Sequence, residues 1–292
     1  MNLRQISGIA RPIEPGYPTN RWIAVLTLLV LIAGGVWRLL DGDGWLTASG
    51  WSASAAVSFF LAWALARELD PDRELAAFVA AGFTLPALAA AGLGWLPLPD
   101  LAALFLVLLA MRVMNRSTGV AATVPDTVGL LGLGLWLGYE SSPIYLAVAV
   151  AALLIDALLG PADRRRVILA VLAATIGGVL VAIGDPPYAP PSPPTSAPMW
   201  VPVPVLAALI MSAIFAVTIR AADQVQSLAD ATAEPLSPRR VRAGQLLALL
   251  TALGLTLAHG SPGLTGLLPL WAAMAATGAY RIAAGRKPAI PK

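Results

Sequence analysis

Residues 22–40 read WIAVLTLLVLIAGGVWRLL, an apolar run whose single charge is Arg38. A helix needs about 20 such residues to cross the hydrocarbon core of a bilayer. Nine further apolar runs follow, separated by short polar or proline-containing connections. We therefore predict an all-α fold, a polytopic transmembrane helix bundle of about ten spans with both termini cytoplasmic. The predicted spans lie near 22–40, 46–66, 72–95, 99–114, 124–139, 143–160, 165–184, 203–222, 241–259 and 263–284.

The composition agrees with a chain whose main partner is the lipid bilayer. Hydrophobic residues make up 58% of the sequence and charged residues 12%, against roughly 25% charged in a soluble domain. The mean hydropathy is +0.77. Ten spans with short connections leave no room for an appended soluble domain. We expect a cytoplasmic N-terminal segment at 1–21, one transmembrane domain at 22–284 and a cytoplasmic tail at 285–292.

The basic residues predict the orientation of the bundle. If the N-terminus is cytoplasmic, 18 of the 19 Lys and Arg residues fall on the cytoplasmic side, and Arg38 is the exception. Arg38 is closely followed by Asp41 and Asp43, which are placed to pair with it. This asymmetry is typical of proteins that leave their positive charges inside, and it supports both the orientation and the number of spans. We expect a multi-pass protein of the plasma (inner) membrane.

Several classes of function are disfavoured by what the sequence contains. The chain has no Cys and one His, so disulfides, cysteine nucleophiles and multi-histidine metal sites are excluded. Its basic residues flank apolar runs instead of forming a stripe, and we expect no nucleic-acid partner. Phosphate-cradling loops and dinucleotide fingerprints are missing from the sequence. We predict no catalytic, metal or cofactor-binding residues.

Two connections are longer than the rest. The proline-rich outer loop 185–204 is expected to be extended. It acts either as a spacer, the interpretation we favour, or as a docking segment for a protein partner. The inner loop 223–240 is polar and mildly acidic near its start, and we expect it to be mobile.

The densest polar cluster lies between the second and third predicted spans and contains Glu68, Asp70, Asp72 and Glu74. Clustered carboxylates at a membrane face are able to hold Mg²⁺ and, through it, a diphosphate. A structural interpretation is favoured, in which Asp70 caps the third helix while Asp72 and Glu74 occupy its first turn.

Asp156 is the strongest single candidate for a functional residue. It lies about one turn inside the cytoplasmic end of an apolar run, where an unpaired carboxylate is costly, and proton-coupled carriers use such groups. The alternative, which we favour, is that Asp156 reaches the interface or pairs with a loop arginine such as Arg164 or Arg220.

A second candidate site surrounds the start of the fifth span. Asp126 follows Arg112 and Arg116 closely enough in sequence to form a basic, polar pocket for a phosphate or an anionic headgroup. A capping box begun by Thr123 explains Asp126 without any ligand.

Three functions remain open at this point. The first and narrowly favoured is a carrier of a small, apolar or lipid-linked solute; in span number and orientation the chain resembles the ten-helix drug/metabolite transporters, in architecture alone. The second is a non-catalytic accessory or assembly subunit, built as a solid Gly/Ala-packed bundle. The third is a membrane-embedded transferase, in which the acidic cluster would converge with Arg112 and Arg116.

Overall fold

The chain folds as a bundle of α-helices. The computed structural model describes residues 7–11, 14, 16–160, 164–183 and 203–285. Within these ranges there is no β-strand, and a single isolated bridge joins Leu228 to Pro235. The helices are α1 (Pro18–Leu40), α2 (Trp45–Leu69), α3 (Glu74–Gly92), α4 (Leu101–Asn115), α5 (Val124–Glu140), α6 (Pro143–Leu158), α7 (Arg164–Ile183), α8 (Val203–Arg220), α9 (Pro238–His259), α10 (Ser261–Gly266) and α11 (Leu268–Ala284), with a 3₁₀ turn at Ala221–Gln224.

Five of these helices are long and apolar enough to cross a membrane. They are α1, α2, α3, α9 and α8 with its following 3₁₀ turn, while α4 and α6 are shorter apolar helices. Exposed leucine, isoleucine and valine side chains cover much of α1, α7 and α8. An outer surface of this kind is compatible with hydrocarbon and costly in water. Most of the outer loop 185–204 and nearly all of the tail 285–292 lie outside the described residues.

The order of the helix ends shows how the helices alternate in direction. At one end Arg38, near the end of α1, donates to the carbonyl of Gly92 at the end of α3, and Asp100 N, just before α4, donates to Gly266 O. We call this the far end. The opposite end, where α2, α4, α6 and α11 finish and α5, α7 and α9 begin, is called the arginine end. Arg38 also pairs with Asp43 and Asp41, as predicted.

The capping box predicted at the start of the fifth span is confirmed, because Thr123 forms it in full with Asp126. Ser142 and Ser237 are also N-cap residues followed by proline in the first turn, but neither side chain accepts a capping hydrogen bond. The predictions that Asp70 caps the third helix and that Asp72 lies in its first turn are wrong, whereas Glu74 is the first residue of α3. Asp70 is instead the C-cap of α2, and its carbonyl accepts from Arg73 N in a turn that delays α3 until Glu74.

The last predicted span, 263–284, is interrupted. Leu267 leaves the helical conformation between α10 and α11. Pro269 lies in the first turn of α11, and because proline has no N–H and its ring excludes the preceding turn, the helix restarts there.

The glycines of α5 fall into two pairs: one pair faces α6 and the other does not. A Cβ added at Gly134 would lie 2.6 Å from the Cβ of Ala149, and one at Gly138 would lie 3.0 Å from the Cβ of Leu146. Glycine therefore allows α5 and α6 to approach closely. Gly129 and Gly132 face open space, so close packing holds for only half of this small-residue pattern.

The inner loop is folded onto the arginine end, and the mobility expected of it stays a prediction. Asp72 accepts hydrogen bonds from the backbone N–H groups of Gln226 and Ser227 and from the Ser227 hydroxyl. Asp230 N and Ala231 N donate to the carbonyls of Ser117 and Thr118. These long-range partners could not be recognised from the composition of the loop.

Candidate functional site

Glu68 is the centre of one buried ion cluster at the arginine end. Its Oε1 accepts from Arg11 Nη1 at 3.0 Å, Arg112 Nε at 3.2 Å and the Ser117 hydroxyl at 3.1 Å. Asn115 Nδ2 donates to Oε2 at 3.2 Å. Arg11 also contacts Asp230 at 2.5 Å. Burial lowers the pKa of Arg11, but the charges of Glu68 and Asp230 outweigh it and leave the pKa raised.

Asp156 is the centre of a second cluster and is fully buried. Its Oδ1 accepts from Arg116 Nε at 2.9 Å and Arg240 Nη1 at 2.6 Å, and its Oδ2 from Arg116 Nη2 at 3.2 Å and Arg166 Nη1 at 2.5 Å. These four donors fill the acceptor sites of a carboxylate. Asp156 therefore pairs with loop and helix-end arginines, although with Arg116, Arg166 and Arg240 instead of Arg164 or Arg220.

Asp70 forms a third, separate pair. Arg281, near the end of α11, donates to its two oxygens through Nε at 2.6 Å and Nη2 at 2.7 Å. Burial raises the pKa of Asp70 above its ordinary value, and the arginine opposes this shift without cancelling it. The pair ties the last helix to the connection between α2 and α3.

The four carboxylates of the acidic cluster face different partners. Glu68 turns toward Arg11 and Arg112, Asp70 toward Arg281, Asp72 toward the inner loop, and Glu74 toward Arg67 at 3.2 Å. No group of three His, Cys, Asp or Glu residues placed to hold a metal ion occurs in the described part of the chain. The convergence that a diphosphate-binding transferase requires is not the arrangement seen here.

The carboxylate of Asp126 accepts its hydrogen bonds from other residues of the chain. Besides the capping box, its carboxylate accepts from the Ser7 hydroxyl at 2.6 Å and from Gly8 N at 2.8 Å. The hydroxyl of Thr118 donates to the Gly8 carbonyl, and Ile9 is buried. The N-terminal segment 7–11 is therefore bound across the arginine end, and Arg112, Arg116 and Asp126 belong to three different sets of contacts instead of one pocket.

Side chains also satisfy the carbonyls left free at two helix ends. Asn115 and Gln245 donate to the carbonyls of Glu68 and Leu69 at the end of α2, and Arg240 donates to Met114 O at the end of α4. A buried carbonyl without a partner would be costly, so these contacts fix how the helix ends meet.

An apolar cavity of about 180 Å³ lies toward the far end, between α5, α6 and α7. Its lining includes Leu135 and Tyr139 of α5, Leu146 of α6, and Gly177 and Gly178 of α7. A cavity of about 150 Å³ lined by apolar side chains holds a molecule the size of benzene. The same three helices carry Asp126, Asp156 and Arg166 at their other ends.

Sequence reasoning missed Arg11, Arg166, Arg240, Gln245 and Arg281 as members of the site. Each arginine fitted the positive-inside pattern, which explains a charge without indicating its partner. The high cost of burying a carboxylate is the signal that points to them, because Glu68 and Asp156 require cationic partners from distant parts of the chain.

Comparison with known proteins gives no match: no family model fits the chain, and no curated protein or solved structure is similar to it.

Proposed function

We propose that the protein is a multi-pass carrier of the plasma membrane that moves a small apolar or lipid-linked solute. Ten helices, α1 to α9 and α11, cross the bilayer, with both termini and the arginine end in the cytoplasm. The placement of the described arginines supports this orientation, because those of helices α2 to α11 and their connections gather at the arginine end, and Arg38 alone among the described arginines lies at the far end.

One observation carries the carrier proposal: α6 and α7 are joined by an ion pair at one end, and together with α5 they border an apolar cavity at the other. At the arginine end, Asp156 of α6 binds Arg166 of α7 and Arg116 after α4. At the far end, the same helices line the apolar cavity, which is open on one side. A cavity at one end and an ion-paired closure at the other is the arrangement expected of one state of an alternating-access carrier.

Single-cysteine labelling tests the proposal, because the chain has no native Cys. Gly178→Cys places a thiol in the cavity, where a Cβ meets no other atom, and Ala157→Cys reports on the arginine end. In proteoliposomes, Arg240→Gln weakens the closure. A carrier should then show slower labelling of the cavity thiol by a membrane-impermeant maleimide and faster labelling at position 157.

Asp41→Cys is the control, since Asp41 is exposed at the far end and lies outside α5, α6 and α7. Its labelling should not change when the closure is weakened. Unchanged labelling at both 178 and 157 in a folded Arg240→Gln protein would overturn the carrier proposal.

A second candidate function, a static accessory subunit, is favoured by the close glycine contacts. A Cβ at Gly134 would crowd Ala149, and one at Gly278 would collide with the backbone of Ile214. Interfaces of this kind resist sliding of one helix past another. The same labelling experiment separates the two functions, because a static subunit predicts no coupling between the two ends.

A further inference from the structure

The structure points to a lipid site at the far end, where we propose that the apolar cavity between α5, α6 and α7 holds one acyl chain of a membrane phospholipid. The bound part is the segment of the chain next to the headgroup. This inference deepens the proposed function by naming the ligand class of the same cavity, and it rests on the membrane placement proposed there.

The chemistry of the lining is the first support, because it suits hydrocarbon. Leu135, Leu146 and Leu180 line the cavity, one from each helix, and none of the described lining residues is charged. The hydroxyl of Tyr139 is the one polar side-chain group among them. A polar solute would lose its hydrogen bonds to water on entering and would find few partners there, whereas a hydrocarbon chain has no such bonds to lose.

The open side of the cavity is the second support. Gly178 and Pro143 belong to the lining and are exposed. Beside the lining, Val179 of α7 and Trp136 of α5 are also exposed, with large apolar side chains. Exposed apolar surface of this kind is compatible with lipid and costly in water. A chain can therefore enter sideways from the bilayer without passing through water.

Two neighbouring glycines of α7 provide the space. A Cβ added at Gly177 would collide with the side chain of Leu146, so this glycine lets the leucine lie directly against α7. A Cβ added at Gly178 would meet no other atom within 4 Å. The cavity thus has a packed wall at Gly177 and unfilled room at Gly178, where a larger side chain would take the place of a ligand.

The size and depth of the cavity indicate which part of a chain it holds. An apolar cavity of about 150 Å³ holds benzene, so about 180 Å³ has room for about seven carbon atoms. Tyr139 and Pro143 lie beside the far ends of α5 and α6, and Gly178 lies about 8 Å before the last residue of α7, Ile183. The hydrocarbon part of one leaflet is about 15 Å thick, so the cavity occupies the half nearest the headgroups.

Photo-crosslinking of the full-length protein in phosphatidylcholine vesicles tests the site. One probe phosphatidylcholine carries a diazirine near the ester of one chain, and a second carries it at the methyl end. Mass spectrometry of the digested protein locates the crosslinks. We expect the probe with the diazirine near the ester to label the cavity-lining parts of α5, α6 and α7 more strongly than the other probe does. Gly178→Leu should lower this labelling at least roughly fivefold, because the new side chain fills the cavity.

Gly132→Leu is the matched control, since Gly132 also faces open space but does not line the cavity. Its labelling should equal that of the wild type. Equal labelling by the two probes, or labelling that Gly178→Leu leaves unchanged, would indicate ordinary lipid contact and overturn the proposal.

The crosslink reports binding without requiring movement, so the two proposals can fail separately. A crosslink at the cavity without coupled cysteine labelling at positions 178 and 157 would support the lipid site and remove the carrier. Coupled cysteine labelling without the crosslink would overturn the lipid site and leave the carrier.

Discussion

At the scale of single residues, Glu68 shows what a buried charge demands of its surroundings. We expect Glu68→Gln to destabilise the protein by about 3–5 kcal/mol, because Arg11 and Arg112 would lose their shared counter-charge inside the protein. The measurement is the free energy of unfolding in mixed detergent micelles. The control is Asp223→Asn, whose partner Arg242 is also exposed, and which should cost at most about 1 kcal/mol. Similar losses in the two variants would contradict the burial argument.

The sequence identified the carboxylates of the site but not the arginines that pair with them. Glu68, Asp126 and Asp156 stand out in the sequence because carboxylates beside apolar runs are rare and expensive. Their partners come from as far away as Arg11 and Arg240, and no local pattern encodes such pairings. Only the folded chain shows that Arg112 and Arg116, one helical turn apart, serve different carboxylates.

At the scale of helices, Gly132 and Gly134 of α5 provide a matched pair. We expect Gly134→Ala to destabilise the protein by roughly 1–3 kcal/mol, because the new Cβ would press on the Cβ of Ala149 across the α5–α6 contact. Gly132→Ala meets no neighbour and should be neutral or stabilising by up to about 1 kcal/mol through helix propensity alone. Thermal unfolding of the two variants compares them directly, and equal destabilisation would show that the contact is not tight.

The positions of the helices were predictable because apolar periodicity and capping are local properties. Each predicted span contains a helix, and Thr123 caps α5 through the capping box that its sequence indicates. Local rules failed where distant contacts decide the outcome. Asp70 has the sequence of an N-cap, yet Arg281 from the last helix binds it, and the inner loop donates hydrogen bonds to Asp72.

At the scale of the whole molecule, the number of membrane crossings is the property on which orientation and function depend. The helices α4 and α6 contain 15 and 16 residues, or about 22–24 Å at 1.5 Å per residue, which is short of a hydrocarbon core of about 30 Å. Both are packed among longer helices, and Asp100 caps α4 at the far end while Asp156 holds the end of α6 at the arginine end. Each helix is anchored by a polar group at one end, and both should still cross, with the bilayer thinning locally to match.

Whether α4 and α6 cross can be tested at two exposed positions, because the number of crossings between them decides whether they lie on the same side of the membrane. Seven helices, α2 to α8, separate Asp41 from Asp223, so the two residues lie on opposite sides only if an odd number of these helices cross. We expect Asp41→Cys to react with a membrane-impermeant maleimide in right-side-out membrane vesicles, and Asp223→Cys to react only after permeabilisation, because we propose that the arginine end lies in the cytoplasm. If either α4 or α6 alone failed to cross, both thiols would be labelled from the same side. Inverted labelling would instead keep an odd number of crossings and reverse the orientation, so one pair of variants tests the parity and the orientation separately.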